Sequence, residues 1–166
     1  SVMVDAGYSV KDLFIGLVPG SVGETSVICV LVGAALLLIT RIGNYRTMLG
    51  GLIGAVTMSW VFNMLAGPET SAFFDLSVSW QLCAGSFAFA IVFMATDPVS
   101  ASMTNLGRYA YGALIGFMVI LVRVINPAFP EGVMLAILFG NVFAPLIDYF
   151  VVSANIKRRK QRYAKG

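Results

Sequence analysis

Side chains that could bind a cation are concentrated in residues 94–105, Met-Ala-Thr-Asp-Pro-Val-Ser-Ala-Ser-Met-Thr-Asn, within an otherwise apolar chain. This stretch carries the carboxylate of Asp97, followed by the oxygen-bearing side chains of Ser100, Thr104 and Asn105. Hard cations prefer oxygen ligands, and broken helix ends build cation sites in membrane transporters. The pattern therefore predicts contacts with an ion such as sodium or with a polar cofactor. The competing interpretation is that Asp97 only caps a helix.

The Asp97-Pro98 pair predicts where the backbone breaks. Proline in a first helical turn loses no hydrogen bond, because its N–H would have no intrahelical partner there. Aspartate just before it can accept from the free N–H groups of that turn. We therefore expect one helix to end near Ala95 and a new helix to begin near Pro98. A break beside a membrane span must be satisfied by protein or water, which favours a functional role.

A second acid, Asp148, falls inside the last apolar run, about one turn after Pro145. Proline within a helix frees a backbone carbonyl, and an acid within a membrane span is costly unless it faces the bundle interior. Asp148 is therefore a second candidate for cation handling, beside Asp97. The alternative is that Asp148 lies near the cytoplasmic interface, since Lys157 follows nine residues later.

Residues 20–26, Gly-Ser-Val-Gly-Glu-Thr-Ser, open the first apolar run. We predict that Ser21, Glu24, Thr25 and Ser26 face a cofactor or an ion. The competing interpretation is a helix start, in which Ser21 is the cap and Glu24 favours the positive end of the helix. The stretch lacks the spacing of a phosphate-binding or dinucleotide-binding fingerprint.

The composition indicates an all-α, polytopic membrane protein. Of 166 residues, 58% are apolar and 11% are charged, whereas soluble domains carry about 25% charged residues. The chain has no histidine, which excludes haem or zinc held by histidine and a histidine general base. We predict no metal centre, and no nucleic-acid partner, because the basic residues form no surface outside the C-terminal tail.

We predict one membrane domain over residues 1–166, with a periplasmic or interfacial lead-in at 1–21 and a basic cytoplasmic tail at 155–166. About five spans are expected, of which the third and fourth are short enough to be partly broken; they are 22–40, 47–66, 80–96, 109–125 and 133–154. Five spans place nine of the 11 basic residues on one side of the membrane. The positive-inside rule makes this side, with the C-terminus, cytoplasmic.

Two further patterns concern packing. The pairs Gly50…Gly54 and Gly112…Gly116 have the small-xxx-small spacing that allows helices to approach closely. Arg123 breaks the charge rule, and we predict that it pairs with an acid such as Glu131.

Several long motifs resemble the B subunit of the bacterial sodium-translocating NADH:quinone reductase, and the resemblance covers nearly the whole chain. They are residues 20–26, Phe-Met-Ala-Thr-Asp-Pro-Val-Ser-Ala-Ser-Met-Thr-Asn at 93–105, Arg-Val-Ile-Asn-Pro-Ala-Phe-Pro-Glu-Gly at 123–132, Phe-Ala-Pro-Leu-Ile-Asp-Tyr-Phe at 143–150 and Ala-Asn-Ile-Lys-Arg-Arg at 154–159. The D subunit of the Rnf electron-transport complex shares the Thr-Asp-Pro and Pro-Leu-Ile-Asp cores. Its pattern departs after Asp-Pro-Val and at Phe-Pro-Glu-Gly, so it is the alternative.

The resemblance implies a ten-span inverted-repeat fold similar to urea transporters, of which this chain would be the second half. It also implies a translocase of six subunits in the inner membrane, which passes electrons from NADH to ubiquinone and exports Na+. The expected partners are the other subunits, ubiquinone and membrane lipid. Asp97 and Asp148 match acidic positions considered for cation handling in this family. A different class of function remains open, namely a channel or transporter with this fold and no redox role.

In that family, the B subunit carries FMN covalently on a threonine of a Ser-Gly-Ala-Thr motif and is associated with riboflavin. This chain contains no Ser-Gly-Ala-Thr. We therefore expect the FMN-bearing threonine upstream of Ser1, and we expect the isolated chain to be inactive.

Overall fold

The computed structural model describes residues 7–20, 23–65, 77–83, 86–126 and 132–163, and the regular secondary structure in these ranges is helical. The helices are α1 (Val10–Ile15), α2 (Val27–Ile39), α3 (Tyr45–Leu65), α4 (Val78–Cys83), α5 (Phe87–Phe89) with a π-helical continuation (Ala90–Met94), α6 (Asn105–Ile125) and α7 (Val133–Tyr163). The predicted all-α class is confirmed.

Three helices are long and apolar enough to cross a membrane, and they match the second, fourth and fifth predicted spans. They are Tyr45–Leu65, Asn105–Ile125 and the Val133–Arg162 part of α7. The α2 helix is apolar but has only 13 residues. The third predicted span, 80–96, is divided between α4, α5 and the π-helical segment. The expectation of broken or half-length segments is therefore confirmed for this span, while the fourth span is unbroken.

The start of α2 corrects one prediction. The helix begins at Val27, and its N-cap is Ser26, whose hydroxyl accepts from the Cys29 amide at 3.5 Å. Gly23 has a φ of +90°, a left-handed conformation that glycine adopts readily and that interrupts a helix. The first span was predicted to start at residue 22, but the helix starts five residues later, and its cap is Ser26 where the competing interpretation named Ser21. Ser21 itself lies outside the described residues.

The break after the third span occurs where it was predicted, but the next helix starts later. The π-helical segment ends at Ala95, whose N–H donates to the Ala90 carbonyl at 2.8 Å. The next helix was predicted to begin near Pro98, and this is wrong: α6 begins at Asn105, with Thr104 as its N-cap.

Helices α3 and α6 approach closely along their glycines, as predicted. A Cβ atom on Gly54 would overlap the backbone of Ala113, and one on Gly116 would overlap the carbonyl of Gly51. Helix α6 also packs against α7, where the Tyr111 hydroxyl donates to Asn141 Oδ1 at 2.5 Å. Helix α6 is therefore the centre of the fold, and its first turn lies next to the candidate site.

The last helix runs beyond the predicted span. Helix α7 continues to Tyr163 and contains Pro145, so the basic residues between 157 and 162, which belong to the predicted tail, are part of the same continuous helix. Residues 152–162 are exposed.

Candidate functional site

Asp148 connects α7 to the segment that precedes α6. Its Oδ1 atom accepts from the hydroxyls of Ser102 and Thr104, both at 2.6 Å, and from the Thr104 amide at 3.0 Å. Its Oδ2 atom accepts from the Met103 amide at 2.7 Å. We call this arrangement of Asp148 with residues 102–104 the carboxylate clamp.

The clamp explains why α6 starts at Asn105. Thr104 is extended, with φ −81° and ψ 147°, and its hydroxyl caps the helix by accepting from the Gly107 amide at 3.1 Å. The amides of Met103 and Thr104 are satisfied by Asp148 from another helix, so they need no helical partner. The carboxylate also lies at the positive end of α6, where a negative charge is favourable.

Gly107 leaves the space that the clamp occupies, and it was not among the predicted site residues. A Cβ atom at this position would lie 2.7 Å from Asp148 Oδ1 and would overlap the hydroxyls of Ser102 and Thr104. The signal available in the sequence was a glycine in the first turn of a helix, where it lowers helix propensity.

Asp97 has its own local partners. Its Oδ2 atom accepts from the Ser100 hydroxyl at 2.7 Å and from the Ser100 amide at 3.0 Å. These two hydrogen bonds hold the pKa of Asp97 below its ordinary value, because they stabilise the charged form. Asp97 therefore closes a local turn and does not cap a helix, and it stays ionised at neutral pH.

A cavity of about 240 Å³ separates the turn after α2 from the segment after the π-helix. Its polar lining comes from Arg41, Asn44, Thr47, Thr96, Asp97, Ser102 and Arg108. Ser102 belongs to both the cavity wall and the carboxylate clamp. Asp97 therefore lines the cavity directly, whereas Asp148 reaches the cavity through Ser102.

Thr47 is an unusual part of the cavity wall. Its side chain is fully buried, and its Oγ1 atom has no hydrogen-bond partner among the described residues. Buried hydroxyls are normally hydrogen-bonded, and leaving one unpaired is costly. Although Thr47 contributes to the cavity wall, its hydroxyl oxygen has essentially no accessible surface, so a water molecule or an ion would reach it only after the adjoining wall moves.

Two arginines line the cavity. Arg108 is held in place by a hydrogen bond from its Nε atom to the Ser102 carbonyl at 3.1 Å. Arg41 lines the cavity from a backbone with φ +60°, a conformation that is uncommon for residues other than glycine. A third arginine, Arg46, is not part of the cavity wall, and its Nη1 atom donates to Asn105 Oδ1 at 2.6 Å.

Comparison with known proteins gives the family. The profile described as the NQR2, RnfD, RnfE family matches residues 2–157. The chain belongs to this family. It is 57% identical over 160 residues to the B subunit of the Na(+)-translocating NADH-quinone reductase of Azotobacter vinelandii, a match that covers 96% of this chain and 40% of the relative. It is 56% identical over 161 residues to the protein of the same name in Chromohalobacter salexigens, covering 97% of this chain and 39% of the relative.

A third relative, from Neisseria meningitidis serogroup A, has the same name and is 55% identical over 151 residues, covering 91% of this chain and 37% of the relative. The chain therefore spans about 40% of the length of the curated relatives that it matches.

The structure brings together only some of the site residues predicted for this family member. Asp97 lines the cavity and is bonded to Ser100, while Thr104 and Asp148 belong to the carboxylate clamp. Asn105 follows the clamp as the first residue of α6 and accepts from Arg46. The second predicted group is elsewhere: Glu24, Thr25 and Ser26 precede α2 and do not line this cavity, and Ser21 lies outside the described residues.

The described residues do not form a complete flavin site. The cavity volume of about 240 Å³ is below the roughly 300–1,000 Å³ of typical pockets for small organic molecules. The threonine motif that carries FMN in the family is also absent from the sequence.

Arg123 has a partner on a neighbouring helix that the sequence analysis did not predict. It is 3% exposed, and its Nη1 atom donates to the Gln81 carbonyl at 2.6 Å and to Gln81 Oε1 at 3.3 Å. Glu131, its predicted partner, lies outside the described residues. The arginine thus contacts α4, two residues before that helix ends, and supports the broken third span.

Proposed function

We propose that this chain is the C-terminal membrane portion of the B subunit of a Na+-translocating NADH:quinone reductase. We also propose that its cavity is a binding site that sodium occupies during transport. The observation that carries the first part is the identity of 57% over 96% of the chain to a protein of that name. The second part is supported by the ionised Asp97 and the unpaired Thr47 hydroxyl in one polar cavity of the described residues.

In this proposal sodium enters the cavity as the transported substrate. The Asp97 carboxylate supplies the negative charge, and the Thr47 hydroxyl supplies a neutral oxygen ligand. The guanidinium groups of Arg41 and Arg108 oppose the cation at short range, so binding is weak enough to be reversible. A change of charge nearby would alter the affinity of this site for sodium through the Coulomb interaction with the bound ion.

The proposal places the remaining components outside the described residues. These are covalent FMN on an upstream threonine, riboflavin, ubiquinone and the other subunits of the complex. We further propose that the chain lies in the bacterial inner membrane with its C-terminus in the cytoplasm, which the distribution of basic residues supports. The D subunit of an Rnf-type complex is the second candidate, because the family profile includes RnfD.

The experiment is to substitute Asp97→Asn in the full-length protein within its purified complex. Sodium-stimulated quinone reduction is compared with NADH oxidation by an artificial acceptor, which does not require the membrane path. The matched control is Asp12→Asn, which removes an aspartate bonded only to Ser9 in the exposed capping box of α1.

We expect Asp97→Asn to raise the sodium concentration needed for half-maximal quinone reduction while NADH oxidation is unchanged, and Asp12→Asn to change neither. Equal losses of both activities that do not depend on sodium would contradict the proposed path and favour a purely structural role for Asp97.

A further inference from the structure

The length of α7 bears on where its C-terminal part would lie relative to a membrane. At about 1.5 Å per residue, the stretch 133–154 is roughly 33 Å long, which matches a hydrocarbon layer of about 30 Å. Because α7 continues without a break to Tyr163, the basic residues that follow are positioned rigidly on a helix. Their directions are therefore defined relative to the membrane.

Three arginines share one face of this helix. Successive residues turn by about 100°, so Arg158, Arg159 and Arg162 lie within roughly 100° of one another, while Lys157 and Lys160 point away from them. All five are exposed. The open space between the exposed side chains on this side of the helix is bordered by the three arginines and by Val152, Asn155 and Ile156. We call these six residues the arginine face.

The geometry points to an anionic phospholipid of the cytoplasmic leaflet as the ligand of the arginine face. Guanidinium groups form paired hydrogen bonds with phosphate oxygens, which ammonium groups cannot match. Val152 and Ile156 are 45% and 49% exposed, and they precede the arginines toward the membrane interior. The face thus presents apolar contacts at the acyl-chain level and phosphate-binding groups at the headgroup level.

The chain offers a matched control for this proposal. The variant Arg158→Gln/Arg162→Gln and the variant Lys157→Gln/Lys160→Gln each remove two positive charges from the same helix, but only the first alters the arginine face. The full-length protein in its complex is reconstituted in vesicles of phosphatidylethanolamine with photoactivatable phosphatidylglycerol. Labelling of the peptide that contains residues 152–162 is then competed with unlabelled phosphatidylglycerol.

We expect the arginine variant to raise the competitor concentration for half-maximal labelling by roughly twenty-five-fold, at roughly fivefold for each of the two contacting charges. The lysine variant should raise it by less than fivefold. Arg158→Lys/Arg162→Lys keeps the charge and should give an intermediate value. Equal shifts for the two Gln variants would overturn the proposal in favour of diffuse surface charge. Cross-linking of the face to an acidic protein segment, with no lipid label, would overturn it in favour of a protein partner. The outcome is independent of sodium transport.

Discussion

The substitution Asp148→Asn tests whether the carboxylate clamp fixes the start of α6. The carboxylate accepts four hydrogen bonds, and asparagine would keep one acceptor oxygen and turn an NH2 group toward a donor. The Met103 amide, now 2.7 Å from Oδ2, would then lose its partner. A hydrogen bond to a charged group contributes about 1.5–3 kcal/mol, and the charge at the helix end adds about 0.3–1 kcal/mol. We expect the free energy of unfolding to fall by about 2–4 kcal/mol.

Hydrogen exchange of the Met103 and Thr104 amides is the direct assay, because both donate to Asp148. A loss of about 2 kcal/mol or more should speed their exchange roughly thirtyfold or more if opening of the segment limits exchange. The thermal unfolding temperature of the full-length protein should fall in parallel. Asp97→Asn is the comparison, since Asp97 binds only the local Ser100 turn and should leave these two amides protected.

Unchanged exchange at both amides in Asp148→Asn would refute the reasoning. If sodium dependence nevertheless fell in that variant, Asp148 would act on the cation directly, and the clamp would be incidental. If Asp148 acts by positioning the segment before α6, the Asp148→Asn variant should show both faster exchange of the two amides and weaker sodium dependence.

Three further substitutions test other parts of the structure. Gly107→Ala should destabilise the protein, because the alanine methyl group would overlap the Ser102 hydroxyl, even though alanine favours a helix over glycine by about 1 kcal/mol. The measurement is hydrogen exchange of the Met103 and Thr104 amides, which should become faster. Exchange at the wild-type rate would contradict this prediction. Thr47→Val should leave the unfolding temperature nearly unchanged, since the hydroxyl has no partner among the described residues. The same variant should raise the sodium concentration needed for half-maximal quinone reduction. A large loss of stability would show that the hydroxyl already has a hydrogen-bond partner. Arg123→Met should lower the free energy of unfolding by about 1–3 kcal/mol, because the donor to the Gln81 carbonyl is lost. Arg123→Lys should recover part of this stability in thermal unfolding. An equal loss in the two variants would argue against a contribution from that hydrogen bond.

Predictions that depended on local sequence were mostly correct. Apolar runs located the long helices α3, α6 and α7, because the length of a membrane span is set by the bilayer. The spacing of Gly50 and Gly54 indicated close helix packing, which the structure confirms against α6. The end of a helix near Ala95 was also correct, since the Asp-Pro pair that follows disfavours continuation.

Predictions that depended on distant residues failed. The helix expected at Pro98 starts at Asn105 because the donors of residues 102–104 bind Asp148, 44 to 46 positions away in the chain. No local pattern reveals such a partner. The same reason explains why Gly107 was missed, since the atoms that require a glycine there include a carboxylate of another helix.

Ser102 explains how both Asp97 and Asp148 can influence one cavity although only Asp97 lines it. Its hydroxyl donates its single hydrogen to Asp148, and its carbonyl accepts from Arg108. The hydroxyl oxygen therefore keeps its lone pairs, and a hydrogen bond to a carboxylate increases the negative charge on that oxygen. Under the proposed function, Asp97 attracts sodium directly, while Asp148 orients and polarises a neutral ligand. The second acid thus contributes to cation binding without placing another full charge in a cavity that must also release the ion.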